Sequence, residues 1–384
     1  MERIRLAIAG LGNMGATHAA SLLAGRVAGL ELAAVCDRDP GRLARFPGIP
    51  AYASAEAMIA AGGSDAILIA TPHPSHVPLG IAALEAGLHV LMEKPLAVHK
   101  AEGERLIAAH RKRRQVFALM FNQRTDGAYR KIRQMVQDGE LGEIRRVNWI
   151  ITDWFRTEAY YASGGWRATW AGEGGGLLLN QCPHNLDLLQ WIFGQPLRVR
   201  AQCRFGRYHD IEVEDDVTAC LEFATGATGV FIASTGEAPG TNRLEIAAER
   251  GRLVFEDDRL VFHRNAMPMS EFSRAAQQSF AKPEVTVSTV TGLGHGGQHG
   301  EILQNFADAI RTGQPLIAPA AEGLRSLELA NAMLLSTWLD RPVDLPLDAA
   351  LYARHLQRRI TGSQAKKRTA ARPSPDDFAQ SLPR

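Results

Sequence analysis

The stretch that most limits what this chain can fold into is GLGNMG, residues 10–15, which follows the apolar run IRLAIAG directly. Gly10, Gly12 and Gly15 stand in G-x-G-x-x-G spacing between a strand-like and a helix-like segment. The first glycine permits a tight turn, the second lets the backbone approach a pyrophosphate, and the third lets helix pack on strand. The helix start that follows, with Asn13, Met14 and Gly15, presents N–H donors and a positive dipole end to the same point. A second apolar run, LELAAVCD, ends in Asp37, roughly 20 residues on, where a carboxylate can accept hydrogen bonds from both adenosine ribose hydroxyls. These features together predict dinucleotide binding. Asp37 favours NAD, because its charge repels a 2′-phosphate. Arg38 beside it can stack on adenine or hold that phosphate, which keeps NADP open; a solvent-facing Arg38 is the alternative.

The organisation of the chain agrees with that reading. Through residue 121 the short apolar runs IRLAIAG, LELAAVCD, DAILIAT, HVLMEK and VFALMFN alternate with helical patterns near 14–28, 77–86 and 100–113. Alternation of this kind predicts right-handed βαβ units and a doubly wound parallel sheet. From residue 122 the character changes. One helix, TDGAYRKIRQMVQDGELG, precedes a series of β-like runs from RRVNWIITDWF to RLVFED, and helices near 298–311 and 321–339 close the pattern. The expectation for residues 122–345 is an α+β domain with a large, mostly antiparallel sheet open on one face. Residues 362–384 have almost no periodic apolar content and read as a flexible tail. A large open sheet needs a cover, which a homodimer or homotetramer supplies.

Three further motifs fall where ligands of doubly wound sheets gather, beyond the carboxyl ends of strands. TPHPSH brings Thr71, Pro72 and His76, and MEKP brings Glu93 and Lys94, with Pro95 restricting the lysine's backbone. Asn122, Gln123 and Arg124 follow a strand at the domain junction. The third motif, GGGLLLNQCPHNLDLLQW, places Pro183 where a helix begins and His184 in its first turn. Leu186, Leu189, Ile192 and Phe193 then make its buried face, and Asp187 on that helix reads as structural.

In this order the motifs resemble the glucose–fructose oxidoreductase/inositol dehydrogenase/rhizopine catabolism (Gfo/Idh/MocA) family, over about residues 3–345. The resemblance implies an N-terminal Rossmann domain, a C-terminal domain whose open sheet often forms the oligomer interface, and oxidation or reduction of a ring carbon of a sugar or cyclitol with NAD(H) or NADP(H). It implies catalytic roles for Lys94, in contact with the reacting hydroxyl and the nicotinamide ribose, and for His184 as acid/base. Asn180 stands where many members carry aspartate. An amide can orient a hydroxyl but cannot take up a proton, so the base becomes Lys94 or His184 acting alone. Trp166 and Arg167, in SGGWRATW, resemble a segment that reaches substrate or cofactor, and His299 is a candidate to cap the cleft. With Asn122 and Arg124 these are the expected substrate-binding residues. Gly10, Gly12, Asn13, Met14, Gly15, Asp37, Arg38, Thr71, Pro72, His76, Glu93, Lys94 and Gln123 are the expected cofactor-binding set.

Composition excludes some alternatives. A net charge of +2 offers no basic footprint for nucleic acid, and no apolar run reaches the roughly 18 residues of a membrane span. Cysteines 36, 182, 203 and 220 form no close pair and no metal-ligand spacing, and the chain begins without a signal-peptide pattern. The expectation is a soluble cytoplasmic enzyme with no metal. Two alternative functions remain: an enzyme that retains NAD, oxidises a glycoside transiently and thereby cleaves it, and a protein that binds NAD and a sugar without turnover.

Overall fold

The computed structural model describes residues 3–110 and 114–364. The 365–384 part of the expected flexible tail and most of the arginine cluster at 111–114 lie outside those residues.

Six strands form the first sheet: β1 (Ile4–Ala9), β2 (Leu30–Cys36), β3 (Ala51–Tyr52), β4 (Ala66–Ile69), β5 (His89–Met92) and β6 (Phe117–Leu119). All pair in parallel, in the order β3-β2-β1-β4-β5-β6. β4 is buried at every residue and β5 at all but the first, because helices cover both faces of a parallel sheet. The order reverses between β1 and β4. Helices leaving these neighbours go to opposite faces and open a crevice at the carboxyl ends of the strands.

The second sheet has nine strands: β7 (Ile144–Ile151), β8 (Arg198–Phe205), β9 (Glu214–Glu222), β10 (Thr228–Ser234), β11 (Asn242–Ala248), β12 (Gly251–Glu256), β13 (Arg259–Asn265), β14 (Val285–Val290) and β15 (Val343–Asp344). Their order is β14-β13-β12-β11-β7-β10-β9-β8-β15, antiparallel throughout except for the parallel β7–β10 pair. Along β8, Val199, Ala201 and Cys203 are buried while Arg198, Arg200, Gln202 and Arg204 are exposed. That period of two marks a sheet with one covered and one open face. The helices Pro183–Phe193 and Gly323–Leu339 lie on the covered face.

The expected fold class is the observed one, with differences at element boundaries. The helix expected over 14–28 spans Asn13–Leu23, because Gly25 turns left-handed at φ +67°. β13 and β14 were not expected from the sequence, nor was the helix Ala349–Thr361. Every residue of β14 is exposed, although its sequence VTVSTV is rich in β-branched residues, and only Tyr352 and Leu356 of that last helix are buried.

Buried polar contacts tie the halves through Lys100 and brace the second half around Arg124. Lys100 donates to Glu328 at 2.6 Å and to the Leu347 carbonyl at 3.0 Å. Arg124, fully buried, forms a two-pronged pair with Asp187 at 2.7 and 2.6 Å, and also reaches Glu322 and the Ile317 carbonyl. This corrects one expectation: Arg124 does not face a substrate, because its donors are taken up inside the fold. Asp187, read as structural, is its partner. Asp187→Asn leaves the guanidinium buried without its matching carboxylate, and is expected to cost about 3–5 kcal/mol. Urea unfolding would show this as a lower midpoint with unchanged slope; a loss below about 1 kcal/mol would mean that Glu322 alone suffices.

Candidate active site

The crevice beyond β1 and β4 begins with the glycine turn. A Cβ on Gly15 would lie 1.8 Å from the Gly10 carbonyl oxygen, so helix and turn can meet only with glycine there. A Cβ on Gly12 meets nothing within 4 Å, which leaves open space directly over the backbone. The helix Asn13–Leu23 has no side-chain cap at its start, so the N–H groups of Asn13, Met14 and Gly15 are available to an anion. At the end of β2 the Asp37 carboxylate is positioned by the Leu11 N–H at 2.8 Å and the Asp39 N–H at 2.9 Å. Arg42 pairs with it, at 3.0 Å, and Arg38 beside it is exposed. Thr71 Oγ1 and Gln123 Oε1 are buried without protein partners, as polar atoms are when a ligand satisfies them. These residues fit a dinucleotide.

Lys94 follows the carboxyl end of β5, next to a cis bond to Pro95. Its Nζ donates to the Asn180 carbonyl at 2.6 Å. Asn180 ends the short helix Leu177–Asn180, and the last carbonyls of a helix lack internal partners, so an ammonium completes them. Burial pulls the Lys94 ammonium below its usual pKa, helped by Arg167 and Arg156 and opposed by Glu93 and Glu173. A backbone carbonyl accepts from a neutral amine as well as from an ammonium, so the contact survives loss of the proton.

The three glycines before that helix have steric reasons. Gly174 has φ +79°, and a Cβ there would lie 2.0 Å from Val98 Cγ1. The N–H groups of Gly176 and Leu178 are capped by Glu214, at 2.9 and 3.0 Å. His184 is the second residue of the helix Pro183–Phe193. Its Nδ1 is buried with no partner, its ring meets Phe121 edge-on at 6.1 Å, and burial with Lys94 and His299 nearby holds it well below the usual histidine pKa. His184 is therefore a neutral imidazole at neutral pH.

Asn180 has a neighbour that the sequence did not announce. Glu173, buried, accepts from the Asn180 side-chain nitrogen and from the Ala168 N–H at 2.7 Å. A carboxylate can only accept, so the amide nitrogen must face Glu173. Asn180 Oδ1 is thereby turned toward Tyr160, whose hydroxyl lies at 3.3 Å. Burial raises the Glu173 pKa, against the pull of Arg167, the Ala168 N–H, Asn180 and Lys94. A carboxylate thus stands one side chain behind the position where the resemblance implied aspartate.

The remaining expected residues divide. Trp166 packs edge-on against His73 at 5.8 Å, and Arg167 donates to the Tyr160 hydroxyl at 2.8 Å. Asn122 bonds Gln298 at 2.5 Å and keeps its Oδ1 unpartnered. His299 lies 5.6 Å from the His18 ring, and burial holds its pKa down at about 4. Pro72 is exposed at the turn after β4. Two cofactor assignments need correction. Both ring nitrogens of His76 face backbone carbonyls, of Pro95 at 2.8 Å and Thr71 at 2.9 Å, so the ring clamps two turns together instead of facing a ligand. Glu93 is bonded by His18 at 2.8 Å; although burial alone would raise it, that bond and the charges of His18, His299 and Lys94 hold its pKa at about 2. His18, Glu173 and Arg156 were missed. Of these only Glu173, one residue before the glycine run, carried a usable signal.

The class this geometry defines, a protein with a Rossmann-type dinucleotide cradle, agrees with comparisons to known proteins. Residues 4–121 match the model of an oxidoreductase family with an NAD-binding Rossmann fold, and residues 129–254 match the GFO/IDH/MocA C-terminal domain. The chain belongs to the Gfo/Idh/MocA family, and its first domain is an NAD-binding Rossmann domain. It is 30% identical to inositol 2-dehydrogenase of Corynebacterium glutamicum over 50% of this chain and 55% of that protein, so the match spans about half of that relative. With inositol 2-dehydrogenase of Leifsonia xyli the identity is 26%, over 71% of this chain and 81% of the relative. The crystal structure of the WlbA dehydrogenase from Chromobacterium violaceum, in complex with NADH and UDP-GlcNAcA, superposes with a TM-score of 0.78 at 29% identity, covering 91% of this chain and 97% of that one.

The cradle makes a paired prediction. Gly12→Ala fills open space, so it should keep the melting temperature within a few degrees while weakening NAD binding at least tenfold by titration. Gly15→Ala collides with backbone and should lower the melting temperature by more. Equal NAD affinity in Gly12→Ala and wild type would contradict the placement of the diphosphate.

Proposed function

We propose that this chain is an NAD-dependent dehydrogenase that oxidises, or in reverse reduces, a secondary hydroxyl carbon of a sugar or cyclitol. The observation that carries the reading is the convergence, at the strand ends of an NAD-binding domain, of Lys94, Asn180 and His184 from both halves of the fold. The names of relatives as inositol 2-dehydrogenases support the substrate class. NAD supplies the hydride-accepting ring when bound. The protein's residues bind, orient and move a proton.

Lys94 is the residue that holds the proton. Anchored at the Asn180 carbonyl, and with a pKa lowered by burial, it can present a lone pair to a hydroxyl closer to neutral pH than a free lysine can. His184, neutral, offers one donor and one acceptor and orients the same hydroxyl or its neighbour. Asn180, its amide turned by Glu173, has Oδ1 as an acceptor for the Tyr160 hydroxyl and Gln181 Nε2, each at 3.3 Å, and a second substrate hydroxyl takes the place of one of these long bonds. A vicinal diol, as in sugars and cyclitols, matches donors and acceptors spaced in this way.

The expected assembly is a homodimer or homotetramer in which a second copy covers the open face of the nine-stranded sheet. Half-buried Ile150, Val230 and Ile232 form an apolar centre on neighbouring strands of that face. No helix among the described residues is long and apolar enough to cross a membrane.

Lys94→Ala tests the reading. It should lower kcat by about 100-fold or more while leaving the NAD dissociation constant within a few fold. A variant that turns over ring polyols at near wild-type kcat would remove Lys94 from the chemistry.

A further inference from the structure

Beside the reacting residues, the loop between β7 and the glycine run carries two arginines that, among the described residues, hydrogen-bond no carboxylate. Arg156 lies over the Trp154 ring at 5.3 Å and over the Tyr160 ring at 5.1 Å. Arg167 lies over the same Tyr160 ring at 4.7 Å and over Trp166 at 4.8 Å. Among the described residues, the Arg156 side chain donates to the Phe155 carbonyl at 2.8 Å and the Arg167 side chain to the Tyr160 hydroxyl at 2.8 Å, and neither guanidinium has a carboxylate partner. Arg156 Nε is buried with no acceptor at all. The Tyr160 hydroxyl that Arg167 holds also faces Asn180 Oδ1, so the pair adjoins the reacting groups.

A guanidinium stacked on an aromatic face keeps its N–H bonds in its own plane, free at the edge for a planar, two-pronged anion. The backbone that carries Arg156 is fixed, since its N–H donates to the Thr235 carbonyl at 3.0 Å and its carbonyl accepts from His209 at 2.8 Å. The nearby carboxylates feel these arginines, Asp153 the charge of Arg156 and Glu173 that of Arg167, but take their hydrogen bonds elsewhere, Asp153 from Asn242. Glu93 is bonded to His18, and Glu173 to Asn180 and the Ala168 N–H. Both arginines also act on Lys94 in the direction of deprotonation, against the larger opposing pull of Glu93 and Glu173, so the two guanidinium groups and Lys94 share one cleft.

We propose that Arg156 and Arg167 form an anion subsite beside Lys94, and that the sugar or cyclitol oxidised here carries a carboxylate or phosphate group bound by these two guanidinium groups. The inference rests on the dehydrogenase reading and names the substrate class within it. Charge-assisted, two-pronged hydrogen bonds of this kind are worth about tenfold to a hundredfold in binding.

The test compares matched sugars: glucose, glucuronate and glucose 6-phosphate, with NAD, at low and high ionic strength. At least one of the two acids should exceed glucose in kcat/KM by tenfold or more at low salt, chiefly through KM, and added salt should shrink the advantage. Whichever acid wins tells carboxylate from phosphate. In the double variant Arg156→Gln/Arg167→Gln the acid-over-neutral ratio should fall toward one, and NAD titration shows whether the variant is folded. Equal kcat/KM for acids and glucose in wild type would overturn the subsite. If none of the sugars is turned over, thermal shifts of the NADH complex decide it. Salt-sensitive stabilisation by an acid, absent with glucose and lost in the double variant, keeps the subsite while the dehydrogenase reading fails. Stabilisation by none of them, or by all alike, overturns it.

Discussion

The active-site geometry depends on one contact, the 2.6 Å hydrogen bond from Lys94 Nζ to the Asn180 carbonyl. Lys94 belongs to the turn that ends a strand of the first sheet, and Asn180 to the short helix that the second half lays against it. A helix ending in that position needs a donor for its last carbonyl, and an ammonium emerging from an apolar strand needs an acceptor. Each half leaves a polar group that only the other half satisfies. The contact therefore fixes where the Lys94 nitrogen stands relative to His184 and to the cradle of Gly10, Gly12 and Gly15.

Around that contact the protein arranges carboxylates at two depths. Glu93 is tied to His18 and keeps its charge. Glu173 stands behind Asn180 and sets which end of the amide faces the cleft. The replacement of aspartate by Asn180 thus leaves a carboxylate within reach of the site, but one that acts through an amide. That division suits an enzyme whose base is Lys94, because the amide orients the hydroxyl without competing for its proton.

Much of this was legible in the sequence, and the exceptions have physical causes. The first sheet could be read because buried parallel strands are continuous apolar runs, and its ligand end because Gly10, Gly12, Gly15 and Asp37 have few structural reasons to occur together. Lys94 and His184 were visible as polar residues that break apolar patterns at element ends. His76 and Arg124 looked equivalent to them in one dimension. Only the fold shows that the His76 ring lies between two backbone carbonyls and that the Arg124 fork closes on Asp187. That Arg42 turns back to Asp37 is likewise set by the fold, through the short helix Pro40–Leu43. His18 was hidden because it serves Glu93, distant in sequence, whereas Glu173 stands beside the glycine run but serves Asn180, a residue expected to act alone.

The central claim, that the cleft transfers hydride from a ring carbinol, is tested most directly with the unmodified protein. Absorbance at 340 nm would be followed with NAD and, in parallel, NADP, over cyclitols, aldoses, sugar acids and glycosides, with released aglycone measured in the same reactions. The account predicts one NADH formed per ketone formed, with a clear preference for NAD over NADP. Aglycone release without net NADH, or NADPH formation that outruns NADH, would contradict it.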